Sequence, residues 1–248
     1  MKILMVSFLF ILLPLQVNTF KTSQQQYKRV SRAYEDKYEG FKNLLNNKNI
    51  AIEKLEIFLR IYKAEGILEL WGKEKAETEF RLIKNYSICS SSGHEGPKRR
   101  EGDRQVPEGF YKINHFNPLS NFYLSLGINY PNASDRILSD KSHPGGSIYI
   151  HGNCVTIGCV PITDEGIKEL YLAAVEAKNN NQQTIHVVIF PCRLEEASYG
   201  SLIGKYAGNQ DYCNLWTDMK KEYDFFKQHH RRPSVTVMNN GRYNIGDQ

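Results

Sequence analysis

Between Leu55 and Trp71 the sequence "LEIFLRIYKAEGILELW" sets Ile57, Leu59 and Ile61 at alternate positions, breaks at Lys63–Gly66 and resumes an apolar run at Ile67. A period of two belongs to a strand, whose side chains alternate between faces, and two such runs around a short polar break predict a β-hairpin. Further strand patterns cover Phe80–Ile88, Phe110–Ile113, Phe122–Leu126, "SIYI" at Ser147–Ile150, "TIHVVIF" at Thr184–Phe190 and "SVTVM" near the C-terminus. Strands therefore come in runs without regular βαβ alternation. The expected class is α+β and β-rich, a mainly antiparallel core with flanking helices.

Helical patterns surround these runs. From Gln24 to Asn46, residues Tyr27, Val30, Tyr34, Tyr38, Phe41 and Leu45 recur at three- and four-residue steps, the stripe of an amphipathic helix that would pack on the main domain. Thr163 or Asp164 can cap a helix whose apolar face is Ile167, Leu170, Tyr171 and Ala174, and Leu215–Gln228 reads as another. The first residues carry Lys2, an apolar run from Ile3 to Leu15 broken by Pro14, and then polar residues. That is the layout of a secretory signal peptide, with a single uncleaved anchor as the alternative. The run is shorter than a membrane span and no second one follows, so no span is expected beyond it. The expected division is a signal peptide over 1–19, a helical segment over 20–50 and one catalytic domain over 51–248.

Export bears on the five cysteines, Cys89, Cys154, Cys159, Cys192 and Cys213. An oxidising compartment permits disulfides, and an odd number leaves at least one thiol unpaired within the monomer. The net charge of +5 gathers in "GPKRREGDR" and "HHRRP" without aromatic interleaving, which with export argues against a nucleic-acid partner. The stretch 93–109, dense in Gly, Pro and charge, reads as a long surface loop of the kind that carries function. Its Lys98, Arg99, Arg100 and Arg104 are candidate contacts for an acidic peptide, and Asn129, Tyr130 and Asp135 candidates to line the same cleft. Solvated loop charge and turn chemistry are the bland accounts of the same residues.

"SIYIHGNCVTIGCVPITDEG" ends an apolar run with one histidine and two cysteines inside nine residues. Zinc could use His151, Cys154 and Cys159, but H-x2-C-x4-C lacks a nearby fourth ligand and paired C-x2-C knuckles. A disulfide could join Cys154 to Cys159, or either to Cys89, Cys192 or Cys213. A Cys–His nucleophile pair accounts for more of the local sequence. Cys159 follows Gly158, which lets backbone approach a substrate, and precedes a helix N-terminus, whose positive end favours a thiolate. Cys154 has neither feature and reads as a small packing residue. His151 ends a strand that could aim its ring at the loop, and the backbone N–H groups of Gly158 and Cys159 could hold an oxyanion.

"IHGNCVTIGC" followed by "TD" resembles the signature of the L,D-transpeptidase catalytic domain, the YkuD-type family. "GPKRREGDRQVPEGFYKI", "FNPLSNFYLSLGINYPNASDR", "PGG" and "HVVIFP" are similar to its YafK-like branch, found in bacterial cell envelopes. The resemblance covers roughly Lys54 to Phe190. It implies a β-rich fold, no cofactor, a periplasmic or envelope location, and a cysteine nucleophile that acts on peptidoglycan stem peptides beside a diaminopimelate residue. It carries the nucleophile onto Cys159, the base onto His151, and the group orienting the ring onto the Gly152 carbonyl. Thr156 stands where the family has Ser or Thr. Ile157 stands where many members have a second histidine, and the His151–Cys159 gap is shorter than usual.

The expected reaction is acyl transfer through a thioester. An amine acceptor would make the enzyme a transpeptidase. Water would make it a hydrolase, and the resemblance extends to release of a wall-linked lipoprotein. A non-catalytic peptidoglycan-binding module is the alternative from another class.

Overall fold

The computed structural model describes residues 19–246; apart from Thr19, the expected signal segment lies outside them. Helices α1 (Phe20–Gln25) and α2 (Lys28–Asn46) precede strands β1 (Leu55–Tyr62), β2 (Ile67–Glu74) and β3 (Arg81–Ser87). After the long loop come β4 (Gly109–Asn117), β5 (Ser125–Ile128), α3 (Ala133–Leu138), β6 (Tyr149–His151), β7 (Val160–Pro161) and α4 (Thr163–Asn179). β8 (His186–Phe190), α5 (Glu196–Lys205), α6 (Gln210–His229) and a hairpin of β9 (Ser234–Val237) and β10 (Tyr243–Gly246) complete the chain.

The hairpin read from the period-two run is β1–β2, paired antiparallel from Leu55↔Glu74 to Tyr62↔Ile67. Eight strands form one curled sheet in the order β3-β2-β1-β8-β4-β5-β6-β7. Among the described residues only β1–β8 and β6–β7 run parallel in it. The fold is thus α+β, a largely antiparallel sheet flanked by helices.

Both faces of the central strands are covered, which is why β1 is buried nearly throughout rather than on alternate residues. On one face Ile57, Leu59 and Ile61 share a core with Leu170 and Val175 of α4 and with Val30, Phe41 and Leu45 of α2. On the other, Phe58 and Tyr62 pack with Phe190 and with Trp216, Tyr223 and Phe226 of α6. Each of these large side chains contributes roughly 1.5–3 kcal/mol by leaving water. Arg60 also points to the α6 side, where its guanidinium bonds Glu222 at 2.7 Å and lies 4.2 Å from the Phe226 ring. The stripe on α2 meets α4, and polar links reinforce the contact: Lys168 bonds Asp36 at 2.9 Å and Lys37 bonds Glu165 at 2.5 Å.

The sheet nearly closes on itself. Past β3 the chain runs on to Cys89, whose N–H donates to the Pro161 carbonyl of β7 at 3.0 Å. A disulfide joins Cys89 to Cys154 beside that bond. The reading of Cys154 as a packing residue is therefore corrected: it is exposed, and its role is covalent. Local sequence held no sign of the pairing because the partner lies 65 residues away. Cys159, Cys192 and Cys213 are free thiols.

Candidate active site

β6 ends at His151, β7 begins at Val160, and the residues between form the loop that carries Cys159. The two strands pair in parallel as Ile150↔Val160 and His151↔Pro161. This register sets Cys159 beside Tyr149, two residues back from His151 on the neighbouring strand. Strand spacings put the two Cα atoms about 8 Å apart on that geometry.

His151 is 1% exposed, with its ring against Phe122 at 4.7 Å between centroids. Its Nδ1 lies 2.5 Å from the Gly152 carbonyl oxygen. A carbonyl only accepts, so the proton of the neutral ring sits on Nδ1 and Nε2 keeps its lone pair. Burial lowers the imidazole pKa below its ordinary 6.5, and the Gly152 carbonyl offsets part of that shift. Gly152 itself has no room for a side chain: an added Cβ would stand 2.5 Å from Asp164 Oδ1 and 2.9 Å from the Phe122 carbonyl oxygen. The same Asp164 oxygen accepts the Asn153 N–H at 2.8 Å, so the first turn of α4 holds the start of the loop.

Cys159 is half-buried, and its Sγ–H points to the Ser147 carbonyl at 3.7 Å. No hydrogen bond joins it to His151 among the described residues. Burial raises the thiol pKa above its ordinary 9.0; the Tyr149 N–H and the Lys98 ammonium pull it back in part. β7 and Ile162 stand between the thiol and Thr163, the first residue of α4, so the thiol does not sit directly at the helix N-terminus as the sequence suggested. At neutral pH the site therefore holds a thiol and a neutral imidazole.

Thr156 organises the turn before the thiol. Its hydroxyl accepts from Gly158 N–H at 3.1 Å and Cys159 N–H at 2.8 Å, and donates to the Cys159 carbonyl at 2.8 Å. The two amides expected to hold an oxyanion thus converge on one oxygen, that of Thr156. Gly158 has φ +137°, a backbone region open to glycine, and a Cβ there would meet the Gln105 carbonyl oxygen at 3.1 Å. Ile157, the departure from the family pattern, is 78% exposed.

Cys159 also lines a cavity of about 240 Å³ between the end of β1, the 90–95 segment and Pro191. The remaining residues singled out in the sequence do not line this cavity, although Lys98 stands close enough to the thiol to act on it. Tyr130 donates its hydroxyl to the Pro144 carbonyl at 2.8 Å and braces the 144–147 segment. Asn129 accepts the Lys112 N–H at 2.7 Å and borders a separate cavity with His186 and Arg232. Arg99 bonds the buried Asp135 at 3.3 Å, and Arg104 is an exposed loop residue with φ +56°. Lys98 is 5% exposed and bonds Asp103 at 2.6 Å. Sequence reasoning singled out the loop from Gly93 onward but missed Ser90, Ser91 and Ser92 as part of the same wall of the thiol's cavity. These small polar residues look like an ordinary linker until β7 is seen beside them.

Among the described residues no group of three His, Cys, Asp or Glu side chains is placed to hold a metal. The disulfide takes Cys154 away from any zinc site with His151 and Cys159. No helix of the described residues is long and apolar enough to cross a membrane.

The YkuD family model, which describes the L,D-transpeptidase catalytic domain, matches residues 59–187. The protein "Putative L,D-transpeptidase YafK" from Escherichia coli is 36% identical over 189 residues, 75% of this chain and 72% of that protein. Its counterpart in a second strain of the same species matches to the same extent. The crystal structure of the helical cell shape determining protein Pgp2 from Campylobacter jejuni is similar at 17% identity and a TM-score of 0.43, covering 75% of this chain and 74% of that one.

Proposed function

This chain belongs to the L,D-transpeptidase catalytic-domain family, enzymes of the bacterial cell wall, and on that premise we propose that it transfers peptidoglycan acyl groups through Cys159. The observation that carries the proposal is a free thiol at the end of the loop that enters β7, the strand beside an imidazole whose Nδ1–H is fixed by a carbonyl, leaving Nε2 as a base.

With both groups neutral at rest, proton transfer accompanies attack. A rotation of the Cys159 side chain away from Ser147 brings the thiol to His151 Nε2. As sulfur adds to the stem-peptide carbonyl, Nε2 takes the thiol proton, and the carbonyl oxygen becomes an oxyanion. Collapse breaks the C–N bond, the imidazolium returns the proton to the leaving amine, and a thioester remains on Cys159. An acceptor amine then attacks the thioester, losing its proton to Nε2, and Cys159 leaves with a proton. Water in place of the amine gives hydrolysis, and with a wall-linked lipoprotein as the leaving amine the first half-reaction would detach that protein. The Gly158 and Cys159 amides already point at one oxygen, and a turn of the Thr156 side chain would give that position to the oxyanion. Export to the periplasm or envelope belongs to the same proposal, supported by the disulfide.

Mass analysis of the purified protein after incubation with a carbapenem, and of muropeptides after incubation with the protein, tests this reading. The expected result is a covalent adduct that the Cys159→Ala variant lacks, together with new 3-3 cross-links. Shortened or detached stems without cross-links would assign the hydrolytic outcome. A native protein that forms no adduct and alters no muropeptide would instead be a wall-binding module.

A further inference from the structure

At the far end of the sheet from Cys159 lies a groove of about 820 Å³, between the start of β1, the end of β2, the turn after α4 and the C-terminal part of α6. Ile57 of β1 lines this groove, and Ile61 lines the thiol's cavity four residues, or about 13 Å, further along the strand. In the same way His186 opens β8 at the groove, while Pro191 follows the end of that strand at the thiol. The basic run "HHRRP", which the proposed reaction leaves unused, delivers Arg231 and Arg232 to the groove.

The charges lining it do not balance. Glu56 is taken up by Lys73 at 2.7 Å, and Glu77 by Arg81. Lys75, Arg231 and Arg232 form no ion pair and no side-chain hydrogen bond among the described residues. Lys75 and Arg231 are exposed, whereas Arg232 is half-buried, its guanidinium 5.5 Å from the Phe58 ring. Burial lowers the Arg232 pKa to about 10, an effect that Glu222 offsets in part, so the side chain stays charged at neutral pH. Glu222 does not pair with it, because its carboxylate bonds Arg60 at 2.7 Å. Burial, together with the charges of Arg232 and Lys112, drives the neighbouring His186 imidazole down to about 3, so that ring is neutral and offers a donor without a charge. A guanidinium has five N–H donors in a planar fork, and one that engages none of them from a half-buried position gains most from an oxyanion. Three unmatched cations exceed what one carboxylate neutralises. A phosphate group brings up to two charges and several acceptor oxygens, and it suits both the Arg fork and the hydroxyls of Thr78 and Thr184 on the same walls. The groove is large enough for an organic remainder as well, and Phe80 and Phe225 give that part an apolar surface.

We propose that this groove is a second binding site, remote from the thiol, for an organic phosphate: Arg232 holds the phosphate oxygens, Arg231 and Lys75 act as outer counter-charges, and the organic part lies along Phe80 and Phe225. The site does not depend on the proposed reaction, so Cys159→Ala should bind the ligand as the native protein does. Calorimetric titration with pyrophosphate, glucose 1-phosphate and citrate tests it, alongside co-sedimentation with phosphatidylglycerol vesicles. Both soluble phosphates are expected to bind, and citrate, a tricarboxylate of similar charge, about 10-fold more weakly than pyrophosphate. Arg232→Gln should weaken phosphate binding about 10-fold, the effect of a hydrogen bond to a charged group, and Lys75→Gln and Arg231→Gln about 3-fold each, as exposed charges do. Arg232→Lys, which keeps the charge but not the fork, should recover part of the loss, and unchanged melting temperatures of the Lys75 and Arg231 variants show that folding is not the cause. Vesicle binding that Arg232→Gln abolishes would assign the phosphate to a lipid headgroup, and binding of glucose 1-phosphate without vesicle binding would assign it to a soluble ester. Citrate binding as tightly as pyrophosphate, affinity indifferent to all three glutamine substitutions, or no binding of any phosphate overturns the site.

Discussion

At the scale of single residues, the site is built to hold its charges back. His151 is buried and bonded only to a backbone carbonyl, and Cys159 is pushed above the usual thiol range, so neither ionises at rest at neutral pH. The directions of the two shifts set a pH dependence. Alkylation of Cys159 by iodoacetamide in the absence of substrate should rise through a midpoint above 9.0. Transfer should instead lose rate on the acid side as His151 takes up a proton, at a pH below the ordinary imidazole value of 6.5. Stopped alkylation assays and steady-state turnover across pH 4–11 check both limbs. An alkylation midpoint near neutrality would mean a preformed thiolate–imidazolium pair and contradict the neutral resting state. The box "HGNCVTIGC" stood out in the sequence through Gly158 beside Cys159 and through the family resemblance, and the structure shows that position to require glycine, with φ +137° and the Gln105 carbonyl oxygen 3.1 Å from where a Cβ would stand. Cys154 was not legible, since nothing near it distinguishes a packed thiol from half of a disulfide.

At the scale of elements, the strands and helices with sustained periods were readable, and those that exist through tertiary contact were not. β1, β2 and β3 and the helices α2, α4 and α6 announce themselves by periods of two or of three to four. β7 is two residues long and owes its existence to β6, while α5 carries Gly200 in its interior and Gly204 in its last turn and so has weak intrinsic preference for a helix. α3 is short but well capped: Asn132 accepts the Asp135 N–H, and Asp135 accepts the Asn132 N–H. That capping carboxyl is 1% exposed, and burial, partly offset by the Asn132 N–H and Arg99, raises its pKa to about 6. A raised carboxyl favours the folded state fully below its unfolded value of 3.8 and withdraws that support as pH rises through about 6. Asp135→Asn should therefore remove on the order of 2–3 kcal/mol of the decline in stability across that window. Denaturant midpoints of the two proteins at pH 4 and pH 7 measure it; equal slopes with pH would show that Asp135 does not titrate in that range.

At the scale of the whole molecule, one covalent link connects the start of the sheet to its end. The bond from Cys89 ties the strand edge at β3 to the loop between His151 and Cys159, and the Cys89–Pro161 hydrogen bond seats it against β7. Closing a loop of this size stabilises a chain by about 4 kcal/mol in the entropic account, and measured values for disulfides run roughly 2–4 kcal/mol. Cys89→Ser should lower unfolding stability by that order. At a temperature where the variant remains folded, it should also slow carbapenem acylation of Cys159, because Thr156 then holds a turn that is no longer anchored at Cys154. Acylation at the native rate in a folded Cys89→Ser protein would confine the bond to a purely stabilising part. The clasp also orders events in time. Such a bond forms in oxidising surroundings, so under the proposed export a newly made chain would carry Cys159 on an unfastened loop until it reached them. Fastening and arrival would then coincide, and the proposed catalyst would be completed only where its proposed substrate is.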